Sequence, residues 1–260
     1  MVRFATILLI GLFSAGCANF VEDLQSSVEN RVQQMLAGKF SELLAQGIDS
    51  VIGGLAVTGG YLDDPLVRIL LPPPLGLAIG VARDLQRDPQ ATLLETLINR
   101  AAEDAIPVAG PILKDMIVNM DTAKLQGLLD APESAATDYL MAEGGAAVKD
   151  ALLPAITERL HANGAIQLYG ELVAARQAAE QATQPVVGSE LESELRKSVD
   201  QAVPDIESPS PMPPLVTPPV APEQLAGYVA EQAMGGLFKK VATKELEIRD
   251  SLDSMVEIPI

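Results

Sequence analysis

The chain has no tryptophan, aromatic residues make up only 3% of it, and it carries one cysteine and one histidine. Sheets need large rings and β-branched side chains to fill the space between them; alanine and leucine in abundance favour helices packed through small aliphatic groups. A single cysteine excludes an intramolecular disulfide. With His161 as the sole imidazole, metal centres built on histidine or thiolate are excluded too, and only carboxylate sites for calcium or magnesium stay open. Basic residues are few, 18 against 35 acids, for a formal charge of −17. Binding to nucleic acid or docking on anionic lipid needs clustered Lys and Arg, so neither is expected, whereas a cationic partner or a small ligand is compatible. Phosphate loops, HExxH, CxxC, EF-hand loops and GxSxG are absent, so no cofactor and no catalytic residue are assigned.

What is present fits an all-α protein: a single multi-helix domain with an extended proline-containing connector and a proline-rich insertion. At 260 residues one core suffices. Residues 1–17 read as an export signal, with Arg3, the apolar run from Phe4 to Phe13, and small residues before Cys17. That run is too short to span a bilayer. The segment resembles a bacterial lipoprotein signal ending in a lipobox. The resemblance implies that Cys17 becomes an acylated N-terminus, palmitate among its chains, and several acyl chains are enough for stable anchoring. Ala18 after the cysteine implies the outer membrane, facing the periplasm. Ser14 stands where an aliphatic residue is usual, so cleavage nearby by an ordinary signal peptidase is the competing expectation.

The remaining divisions follow periodicity. Residues 18–39 form a tether or short helix, and 40–177 the first part of the helical domain. Residues 178–221 are a charged, proline-rich insertion suited to polyproline II, and 222–253 the closing helix of the same domain. Phe40, Leu44, Ile48, Ile52 and Leu55 predict one helix ending by Gly59-Gly60. Leu75–Leu85 reads as a short buried helix. Prolines 107 and 111 should kink or divide the helix that begins near Pro89, Asp121 or Thr122 should cap the next, and Gly144-Gly145 should break another.

The connector lies in residues 61–80, the one stretch that departs from ordinary amphipathic helix, because Pro72–Pro74 lack N–H groups and force an extended approach. It holds Asp63, Asp64 and Arg68. With Asn99, Arg100, Glu103 and Asp115 on the following helices they form the strongest polar constellation. Convergence would support ligand binding or acid–base chemistry. The plainer expectation is that Asp63 or Asp64 caps a turn at Pro65 while Arg68 and Arg100 pair with acids to fasten the connector.

Four blocks, YLDDPLVRILLPPPL, LINRAAEDAIPVAGPILKDMIVNM, APESAATDYL and YVAEQAMGGLFKKVATKELEIRDS, together resemble the bacterial envelope family known as domain of unknown function 4197. The resemblance implies a helical, exported, often lipid-anchored protein and supplies no mechanism. Three functions are therefore carried forward. The first is an envelope binding or interaction module held to the membrane by its lipid. The second is a hydrolase or lyase using Asp63, Asp64 and Arg68. The third is a carrier of an apolar ligand, with Gly53, Gly54, Gly235 and Gly236 bordering a cavity.

Overall fold

The computed structural model describes residues 30–73, 75, 89–132, 134–183 and 220–256. Helix α1 covers 30–55 and buries Phe40, Leu44, Ile48, Ile52 and Leu55 along one face. It runs through the expected boundary at 39 and 40 without a break. The connector follows, and then α2 (Pro89–Ala105), a 3-10 turn (Ile106–Val108) and α3 (Ala109–Val118). The two prolines thus divide the helix as expected, since neither can donate to the carbonyl four residues back. Helix α4 (Thr122–Asp130) starts at Asp121, whose side chain accepts from the Lys124 amide.

Helix α5 (Ala135–Ala162) is continuous through Gly144-Gly145, contrary to the expected break. Both glycines are buried, and at Gly144 the fit is close: a Cβ there would lie 2.4 Å from the Met116 sulfur, whereas one on Gly145 would make only ordinary contact with Met234 at 3.9 Å. The small size of Gly144 serves packing, and tertiary contact along α5 outweighs the propensity cost of about 1 kcal/mol for each glycine. Leu140, Val148, Leu152, Ile156 and Leu160 repeat the same face. After Gly164 (φ +78°), α6 (Ala165–Thr183) turns back, extending past the expected domain limit at 177. Helix α7 (Leu225–Val256) completes the core, entered through a 3-10 turn (Pro222–Gln224). Helix α5 is central and packs on α2, α3, α4, α6 and, most extensively, α7. No strand occurs among the described residues, and the chain is all-α. Cys17 and most of the helix expected at 75–85 lie outside the described residues, as does the insertion from 184 to 219.

The end of α1 offers a contrast between two glycines. At Gly60 a Cβ would sit 2.4 Å from the Leu55 carbonyl oxygen and 2.6 Å from that of Gly54, backbone atoms that cannot yield. At Gly54 a Cβ meets nothing within 4 Å. Gly60→Ala is expected to destabilise by about 1–3 kcal/mol through overpacking. Gly54→Ala should stabilise by roughly 0.5–1 kcal/mol through helix propensity. Urea denaturation of the two variants checks the opposite signs; a shared sign would mean that the turn repacks.

Candidate functional site

The connector is a strap laid across α2 and α7, held mainly by side chains that pair with its backbone. Asn99 is fully buried, and its amide treats Ile69 as a neighbouring strand would. Oδ1 accepts from the Ile69 N–H at 2.9 Å, while Nδ2 donates to the Ile69 carbonyl at 2.8 Å and to that of Glu95 at 2.8 Å. One turn further on, buried Glu103 accepts from the Tyr61 and Leu62 amides at 3.1 and 3.2 Å, and its other oxygen receives Arg100 at 3.2 Å. From α7, the Tyr228 hydroxyl donates to the Leu70 carbonyl at 3.0 Å. Tyr61 inserts its ring against Gly236 and donates to the Ala233 carbonyl at 2.8 Å.

Asp64 makes the turn at Pro65 by accepting from the Leu66 amide at 2.9 Å, and it pairs with Lys240 of α7. The Lys240 ammonium, and after it the Leu66 amide, hold the Asp64 carboxyl below its usual range. Arg68 donates to the Leu62 carbonyl and lies 3.7 Å from Glu95. Asp63 is exposed, as is Asp115 on α3, and no hydrogen bond or ion pair joins Asp115 to the connector among the described residues. Asn99, Arg100 and Glu103 are therefore brought to the strap, whose own Arg68 reaches Glu95 and whose Asp64 is engaged from α7, and Asp115 is left out. The four glycines do not border a common cavity: Gly236 is filled by Tyr61 and Val67, whereas Gly53, Gly54 and Gly235 meet open space.

Burial raises the phenols of Tyr61, Tyr169 and Tyr228. Glu103 adds to the effect at Tyr61, and Tyr169 is pushed up to about 12 with Tyr228 adding. Because the folded pKa values are raised, their contribution is complete below the unfolded value of about 10 and is lost as pH climbs past it. In an alkaline titration, tyrosinate absorbance from these rings should appear together with loss of helical circular dichroism. Ionisation of all four tyrosines before unfolding would contradict the burial argument.

A second polar centre was not picked out from the sequence. Buried Glu245 accepts from the Ala136 and Thr137 amides at 3.0 and 2.7 Å and from the Thr137 hydroxyl at 2.7 Å, so it caps the start of α5 from α7. Arg249, one turn along, binds Glu245 at 2.7 Å and donates to the carbonyls of Leu128, Leu129 and Ala131 at the end of α4. Its guanidinium also lies 5.2 Å from the centre of the Phe40 ring. The signal was present: Glu245 falls on the apolar stripe with Val241, Ile248 and Leu252, where a carboxylate needs a partner.

Every ionised or amide side chain buried among the described residues thus has a structural duty, and none of their buried side-chain polar atoms lacks a partner. The sequence matches the model of a protein family of unknown function, DUF4197, over residues 30–257. The chain belongs to that family. The four blocks that carried the resemblance supply the strap, the α2 residues that grip it, the start of α5 and the α7 residues that lock both. No match was found among curated proteins or among solved structures. Within this DUF4197 chain, the described concavities open along the seam of α1 and α7, where Asp64 is the one member of the expected constellation to appear.

Proposed function

We propose that this protein is a lipid-anchored periplasmic binding or interaction module of the bacterial envelope, with the strap and the α1–α7 seam as its recognition surface. The observation that carries this reading is the commitment of the strap-binding side chains to the fold. A catalytic acid or base must exchange a proton with substrate, whereas Asn99 and Glu103 spend their hydrogen bonds on connector backbone. What stays accessible is a shaped, charged surface. Its strong acidity suits a cationic partner, and the export signal with Cys17 supplies the outer-membrane anchor. Among the described residues no helix is long and apolar enough to cross a membrane.

Intact mass of the protein taken from membranes should show acyl chains on a chain beginning at Cys17. Cys17→Ser should move it to the soluble fraction with unchanged helical content. An unmodified chain cut elsewhere would discard the anchor. For the binding role, crosslinking in intact envelopes should capture a basic partner whose yield falls with salt. Turnover abolished by Asp64→Asn without a change in stability would overturn the module reading in favour of a hydrolase or lyase.

A further inference from the structure

Helices α1 and α7 touch at Gly47, where a Cβ would come within 3.0 Å of the Lys244 stem and 3.1 Å of Ile248. Towards the end of α1 the surface opens, and at Gly54 nothing stands within 4 Å. The strap turn at Gly60 and Asp64 closes this end. The result is two open hollows of about 300 and 460 Å³ that share Ser50, Lys244 and Glu247, and so form one groove. Its α1 wall runs from Leu43 to Leu55, roughly 18 Å at 1.5 Å per residue. At about 3.3 Å per residue, that length takes roughly five residues of extended peptide.

From the strap outward the charges read Asp64, Lys240, Lys244, Glu247, paired as Asp64 with Lys240 and Lys244 with Glu247. Lys244 and Glu247 are exposed at 37% and 60%, so that pair contributes little net stability and can exchange partners cheaply, while the Asp64–Lys240 pair is more enclosed. A purely anionic ligand would face the two carboxylates within a chain of charge −17, and a purely cationic one would strand the lysines. A segment carrying both signs satisfies all four. Leu43, Val51 and Ile248 lie along the same walls and offer apolar contact to the alternate side chains. Ser50 is exposed on the α1 wall shared by the two hollows and presents its hydroxyl beside them.

We infer that the α1–α7 groove binds an extended peptide segment of mixed charge, with acidic and basic side chains alternating with apolar ones. This rests on the interaction-module reading and names the chemistry of the partner segment. The test uses isotope-labelled full-length protein in detergent micelles and three pools of five-residue peptides, in which valine alternates with lysine and aspartate, with aspartate only, or with lysine only. The mixed pool should shift amides of 46–54 and 240–247 saturably, with affinity at least roughly tenfold above either single-sign pool. Gly54→Leu, which fills the groove at a position with room for a side chain, should weaken binding by about tenfold while the melting temperature holds or rises. Lys244→Glu should weaken the mixed pool comparably. Equal or tighter binding of a single-sign pool, shifts confined to other surfaces, or no shift at millimolar peptide would each overturn the inference. If Gly54→Leu still crosslinks the basic partner in envelopes, the groove assignment fails alone; if the wild type captures none, the module reading fails with it.

Discussion

Arg249→Ala is expected to destabilise the protein by roughly 3–5 kcal/mol, the usual cost of leaving one member of a buried ion pair without its partner. Glu245 is fully buried and would be left without its counter-ion among α4, α5 and α7, while three carbonyls at the end of α4 would lose their donor. Total stability of a domain is about 5–15 kcal/mol, so the loss is a large fraction of it. Glu245→Ala should cost a similar amount, because the Ala136 and Thr137 amides and the Thr137 hydroxyl lose their acceptor and Arg249 loses its counter-charge. The double variant should cost clearly less than the two single losses combined, since each single change strands the other charge. Urea denaturation followed by circular dichroism reads all three. Additive losses, or a single loss below about 1 kcal/mol, would show that water replaces the clip and that the helix ends are not held by it.

Asn99→Ala should cost about 2–6 kcal/mol, because the Ile69 N–H and C=O are both left unpaired at roughly 1–3 kcal/mol each. The informative companion is Asn99→Asp. It preserves size and can still accept from the Ile69 amide, but it cannot donate to the Ile69 carbonyl and sets a carboxylate against that oxygen. The aspartate variant should therefore be at least as unstable as the alanine variant at neutral pH, and should recover part of its stability as acid protonates the new carboxyl. Limited proteolysis should cut the strap between 61 and 71 in both. An aspartate variant as stable as wild type would mean that strap and α2 are joined by packing alone.

These two centres differ in how far the sequence disclosed them. Asn99, Arg100 and Glu103 could be singled out as polar residues on a strongly periodic helix facing an unusual connector. The expectation that Arg68 and Arg100 pair with acids agrees with the contacts to Glu95 and Glu103. Asp115 was grouped with them by proximity in sequence, and its position on α3 carries it elsewhere. For Glu245 the sequence offers only its place on the apolar stripe, and the i,i+4 spacing to Arg249 names one partner but not the starts and ends of the other helices that both residues hold. Gly144 and Gly145 differ from expectation for a related reason: their propensity argues for a break, while the close approach of the Met116 sulfur to Gly144 and the burial of both residues in the core favour a helix that runs on.

Helical class, family membership, acidity and the position of most helices were determined by the sequence itself, because apolar spacing and terminal signals act over a few residues of the same segment. Tertiary structure decided which polar groups join segments, through contacts such as Tyr61 with Ala233 and Thr137 with Glu245 that span more than a hundred residues. It also decided where the surface opens, since the groove exists only because α1 and α7 touch at Gly47 and are spanned by the strap turn near Gly54. A hydrogen bond needs two groups within about 3 Å, and periodicity along one helix says which way a side chain faces but not which distant backbone it meets.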